Sequence, residues 1–142
     1  MSLSEIRSGL DTSVVMRLLT GDPEPLYRQA IAYLGETQAL EQRLLVSNLV
    51  IAEAYFACQF HYKMPKKDVL SGLYQLLSKP IFAVEQPVIE LLGQPGMAKA
   101  KPGFVDRLIH LEYSGPGASL VTFEKASSKL DRVHVLVAGT ES

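Results

Sequence analysis

Leu44-Leu45-Val46-Ser47-Asn48-Leu49-Val50-Ile51-Ala52-Glu53-Ala54-Tyr55-Phe56-Ala57-Cys58 passes from a strand straight into an apolar helix. Three consecutive aliphatic residues at 44–46 mark a strand buried within a sheet. Ser47 or Asn48 then offers a side-chain oxygen to the free N–H groups of a helix running to about His61. Strand and helix joined this tightly are the unit from which parallel sheets are built. The alternation continues on both sides. Upstream, Ile6–Leu10 predicts a first strand whose apolar character Arg7 and Ser8 interrupt, and Val14–Leu19 a short helix ending at Gly21. Asp22 reads as the N-cap, with Pro23 in the first helical position, of a helix to about Leu34. Downstream, Met64-Pro65 opens a helix with Val69, Leu70, Leu73, Leu76 and Leu77 at helical spacing. Ile81–Val84 predicts a third strand, and Gln86-Pro87 begins a helix through Leu92. Gly93–Gly103 carries two prolines and predicts a loop or kinked helix. Phe104–Tyr113 follows as a helix, and Leu120–Phe123 and Val133–Val137 as strands, joined by a short helix or turn over 125–130. The expectation is an α/β domain with a mostly parallel central sheet of about five strands flanked by helices.

Composition bounds this reading. With 142 residues, 47% of them apolar and 20% charged, the chain is sized for one folded domain over residues 1–142. That composition excludes disorder, collagen and coiled coil. Residues 1–4 read as a flexible N-terminus. Cys58 is the single cysteine, so a disulfide within the chain and a cysteine-based zinc cluster are both excluded. No apolar run reaches the roughly 18 residues of a membrane span. The first ten residues lack the apolar segment of a secretion signal, which points to a cytoplasmic domain with no membrane partner. Fourteen basic and fifteen acidic side chains leave a net charge of −1, without a general attraction for polyanions.

In an open α/β sheet, ligands bind beyond the carboxyl ends of the strands. Asp11 follows the first strand and Glu124 the fourth, so both fall at that edge; each also reads as an acid favoured at a helix N-terminus. Glu53 is flanked by apolar residues all round its helix, which predicts a buried carboxylate needing a cation, a donor or a metal as partner. Asp106 lies in the first turn of its helix, with His110 four residues on along the same face. A transition-metal pair there lacks a third nitrogen or sulfur ligand, so His110 reads as a surface or interface residue, as do His61 and His134. Four carboxylates at one sheet edge suit a hard divalent cation that takes oxygen ligands. Such a site can activate water for attack on a phosphodiester. No Gly-rich phosphate loop follows a strand, no Gly-x-Ser-x-Gly elbow is present, and Cys58 reads as core.

Four segments resemble the PIN-domain family. Leu10-Asp11-Thr12-Ser13-Val14-Val15-Met16-Arg17-Leu18-Leu19 looks like its opening, and Ile51-Ala52-Glu53-Ala54-Tyr55-Phe56 is similar to its second acidic motif. Phe104-Val105-Asp106-Arg107-Leu108-Ile109 and Leu120-Val121-Thr122-Phe123-Glu124-Lys125 resemble the third and fourth. Their order, spacing and the chain length resemble the short bacterial VapC toxins. The resemblance implies a three-layer PIN-like fold and a Mg²⁺- or Mn²⁺-dependent endoribonuclease acting on RNA, neutralised by a cognate antitoxin. Carried over by position, Asp11, Glu53 and Asp106 would hold the metal. Glu124 would hold or orient the metal or its water, and Ser13 and Thr122 would support them. Glu124 stands where the family usually has aspartate, and Arg107 and His110 where it has small residues. Arg107 could contact substrate phosphate. The alternatives are a PIN-fold binding module with little or no catalysis, and a flavodoxin- or phosphatase-like protein, whose second acid near Asp11 is absent. Lys63, Lys66, Lys67, Lys99, Lys101 and Arg107 could form local phosphate-binding patches, or simply solvate helix ends. Leu26, Tyr27, Ile31, Tyr33 and Leu34, and likewise Leu70, Leu73, Tyr74, Leu76 and Leu77, make apolar stripes wider than one sheet face needs. That excess predicts a homodimer and a groove for a partner helix.

Overall fold

The computed structural model describes residues 5–137 and 139, so the reading of residues 1–4 lies outside the described residues. In chain order the elements are β1 (Ile6–Gly9), α1 (Thr12–Thr20), α2 (Glu24–Ala39), β2 (Arg43–Leu45), α3 (Asn48–Phe60) and α4 (Lys66–Leu77). β3 (Phe82–Ala83), α5 (Gln86–Leu92), a 3₁₀ turn at Met97–Lys99 and α6 (Phe104–Ser114) follow. β4 (Leu120–Thr122), a second 3₁₀ turn at Lys125–Lys129 and β5 (Val133–Val135) complete the described chain. The fold is α/β with parallel strands, as the alternation predicts.

The strands do not form one sheet. β1, β2 and β3 pair in that order as a three-stranded sheet, and β4 pairs with β5 separately. The expected central sheet of about five strands is corrected to three plus two. The described strands are only two to four residues long, so each offers few ladder hydrogen bonds with which to recruit a further neighbour, and β1 is irregular as well. The register shifts between Ile6 and Ser8, which breaks the ladder in a strand only four residues long. The polar pair that interrupts β1 is taken up by α2. Arg7 Nη1 donates to Thr37 Oγ1 at 2.9 Å, its guanidinium lies 4.2 Å from the Tyr33 ring centroid, and Ser8 Oγ meets Tyr33 Oη at 2.8 Å. Thr37 is wholly buried there. This polar layer also explains why α2 continues past the expected end at Leu34 to Ala39: Thr37 belongs to its last turns.

β2 corrects a second expectation. Leu44 and Val46 are buried, but Leu45 between them is 49% exposed, so only one face of the sheet is covered at β2. The core joins Leu44, Val15 and Ile51 with Val69, Leu73 and Leu77 of α4 and Val88 of α5. Leu120 is buried too, yet outside that contiguous core, so the β4–β5 pair sits beside the core rather than within it.

Local signals set the helix ends. Gly21 takes φ 69° as the C-cap of α1, a left-handed conformation open to glycine, and its N–H donates to Arg17 O. Pro23, not Asp22, occupies the N-cap position of α2. Ser47 Oγ accepts from Val50 N at 3.2 Å and caps α3 as expected. Ser47→Ala should lower stability by about 1 kcal/mol. Urea unfolding checks it: a midpoint unchanged from the parent chain would mean the cap contributes nothing.

The wide apolar stripes divide. In α4, Leu70, Leu73 and Leu77 are absorbed by the core, whereas Leu26 and Ile31 of α2 remain exposed. Among the described residues, no helix is long and apolar enough to cross a membrane.

Candidate functional site

Asp11 closes the turn from β1 into α1. Its carbonyl receives the N–H groups of Val14 and Val15, while its carboxylate makes no cap bond and stays exposed. Ser13 Oγ donates to Asp11 Oδ2 at 3.0 Å, the supporting contact expected of Ser13. Asp11 and Ser13 line a cleft of about 480 Å³ between the β1–α1 turn and α2. Arg17 lines it too. Its Nε is buried without a protein partner, and its Nη2 lies 3.4 Å from Tyr62 Oη. A guanidinium beside a carboxylate in one cleft can draw an anionic ligand toward the acid. Residue-type patterns did not single out Arg17. The available signal was a lone cation among Val14, Val15, Met16, Leu18 and Leu19.

Glu53 is exposed, contrary to the expectation of a buried carboxylate. α3 is apolar nearly all round, but the core takes only the face bearing Ile51, Ala54, Tyr55 and Cys58. Leu49, Phe56 and Phe60 share the outward side with Glu53, Leu49 at 71% and Phe60 at 68% exposure. Glu53 therefore needs no buried cation. Thr12 Oγ1 donates to its Oε1 at 2.9 Å, which ties the residue after Asp11 to the acid of α3. α1 and α3 meet along Met16 and Cys58, whose sulfurs are 3.8 Å apart. Burial pushes the Cys58 thiol above its ordinary value, so it stays protonated and reads as core, as expected.

Asp106 is exposed in the first turn of α6. Two residues earlier, buried Phe104 packs on Tyr55 with ring centroids 5.0 Å apart. Through this contact the first turn of α6 packs against α3. Ala52 and Val105 line one small cleft between them.

Glu124 is placed differently. It follows β4, whose sheet is not continuous with that of β1, and its Oε1 accepts from Ala126 N at 3.1 Å. The carboxylate caps its own 3₁₀ turn, and Thr122 Oγ1 supports the same turn by accepting from Glu124 N. Arg107 is half-buried, with Nε donating to Pro102 O at 2.8 Å. His110 Nε2 bonds Asp131 O, fastening α6 to the segment before β5 rather than pairing with Asp106.

Among the described residues, no three His, Cys, Asp or Glu side chains are placed to hold one metal ion. The expected four-carboxylate cluster is thus not assembled among the described residues; Glu53 is tied to Thr12, the residue after Asp11. The all-oxygen chemistry of Asp11 and Glu53 fits Mg²⁺, which is commonly held through one or two carboxylates and otherwise keeps its waters. No family model, curated protein or solved structure matches the chain.

Proposed function

We propose that this chain is a Mg²⁺- or Mn²⁺-dependent endoribonuclease with a PIN-like fold, the toxin of a VapC-type toxin–antitoxin pair acting in the cytoplasm. The observation that supports the reading is that Glu53 is bonded by Thr12, the residue after Asp11, while Asp11 itself lines a cleft that also presents Arg17. In this reading Asp11 and Glu53 would hold the cation, its remaining positions kept by water, and Asp106 would add negative charge from α6 without being a direct ligand. When bound there, such a cation would lower the pKa of an attacking water and offset charge on the scissile phosphate. Ser13 fixes the Asp11 carboxylate, and the Arg17 guanidinium draws a phosphate into the cleft. Exposed Leu26 and the Tyr33 side chain line the far wall of that cleft, which suits an antitoxin segment. A homodimer belongs to the same reading.

Purified protein should cleave RNA with Mg²⁺ or Mn²⁺ and stop on adding EDTA. Glu124→Asp should keep or raise the rate, since aspartate also caps a turn and restores the side-chain length of the resembled family. A second reading, a binding module of the same fold, is favoured by the engagement of Glu124 in its own cap. It prevails if both the parent chain and Glu124→Asp stay inert on many RNAs with either metal.

A further inference from the structure

On the far side of the α4–α5 layer, two clefts of about 540 and 550 Å³ share Tyr74, Gly93 and Gln94. Tyr74 projects from α4 onto Gly93 at the end of α5. A Cβ at Gly93 would fall 2.5 Å from Tyr74 Cε1 and 2.8 Å from Cδ1, so only glycine leaves room for the ring. The ring is seated on backbone, yet Tyr74 is 41% exposed. The first cleft is walled by Lys67 and Lys99, the second by Arg107. Arg107 is anchored through Nε to Pro102 O, and its two terminal amino groups have no protein partner among the described residues. Glu90 is the single carboxylate lining either cleft, so cations outnumber acids here in a chain of net charge −1.

We propose that these clefts form a track for single-stranded RNA, with a base stacked on Tyr74 and the flanking phosphates held by Lys67 and Lys99 on one side and Arg107 on the other. A fixed, exposed aromatic ring between cationic clefts is the arrangement that binds single strands, because every base has a face to stack and every linkage a charge to neutralise. Duplex RNA keeps its bases stacked on one another and gains nothing from Tyr74. Arg107 follows Asp106 directly, so one end of the track reaches the α6 turn that carries an acid of the proposed active site. The choice of RNA rests on the nuclease reading; the track itself does not use the carboxylates.

Fluorescence anisotropy in EDTA, where metal-dependent cleavage cannot occur, tests it with a labelled oligouridine of about twelve nucleotides, within the ~4–16 such grooves cover. The parent chain should bind, more weakly as salt rises. Lys67→Glu with Lys99→Glu should weaken binding about tenfold or more, two phosphate contacts being lost and reversed. Gly93→Ala moves the ring without changing charge and should weaken binding about fivefold or more, whereas Tyr74→Phe should bind like the parent. Lys79→Glu, one such charge reversal elsewhere on the surface, should match the parent, and circular dichroism confirms that each variant folds. Absent binding, a duplex bound more tightly than the single strand, Lys67→Glu with Lys99→Glu or Gly93→Ala equal to Lys79→Glu, or Tyr74→Phe weakened as much as Gly93→Ala would each overturn the track. Binding with these signatures but no cleavage in Mg²⁺ or Mn²⁺ would sink the nuclease reading alone.

Discussion

Asp11→Asn should lower Mg²⁺-dependent RNA cleavage about a thousandfold or more, equivalent to the ~4 kcal/mol that a bound Lewis acid readily contributes. The substitution keeps size and shape. Ser13 Oγ can still donate to the amide oxygen, and the backbone start of α1 is untouched, since only the Asp11 carbonyl receives the first helical N–H groups. What disappears is the charge facing the Arg17 cleft. Mg²⁺ or Mn²⁺ should raise the melting temperature of the parent chain and leave that of Asp11→Asn unmoved, because a ligand stabilises only the state that binds it. Equal thermal responses in the two proteins would remove Asp11 from the cation site.

Phe104→Ala should cost about 3–5 kcal/mol, a large part of the ~5–15 kcal/mol that holds a domain of this kind together. Phe104 is 1% exposed and is among the largest fully buried side chains. Its ring meets Tyr55 at an interplanar angle of 50°, and truncation leaves a void between α3 and α6. Urea denaturation reads the loss; a cost below about 1 kcal/mol would mean that Phe104 does not hold α6 to α3. Because Phe104 also anchors on α3 the first turn of α6, which carries Asp106, cleavage should fall further in the surviving folded fraction. Phe104→Leu, which fills much of the void, should recover most of the stability and part of the rate.

The candidate acids differed in how far sequence could place them. Asp11 is legible because a strand, a turn and an amphipathic helix follow within a few residues and leave the acid at the strand's carboxyl end. The Ser47 cap and the Gly21 stop are legible for the same reason, being interactions between residues three or four apart. Glu53 was misjudged because α3 carries apolar residues on every side, and periodicity cannot say which side a neighbour will cover. Glu124 was set among the metal ligands by its place after a strand, whereas its carboxylate turns back on the N–H two residues ahead.

Sequence by itself determined the α/β alternation, the Ser47 cap and the Gly21 stop, the buried apolar spacing of α4, and the core role of Cys58. Each depends on local period, capping and hydrophobicity, which act over a turn or two of chain. Only the tertiary structure decided that five strands divide into three and two, that Arg7 and Ser8 are met by Tyr33 and Thr37 of α2, and that Thr12 joins Glu53. It alone seats Tyr74 on Gly93 between two cationic clefts. The physical reason is the range of the forces involved. A strand three or four residues long makes too few hydrogen bonds to choose its own neighbour, and a polar side chain takes whichever donor the packing of distant helices brings within about 3 Å.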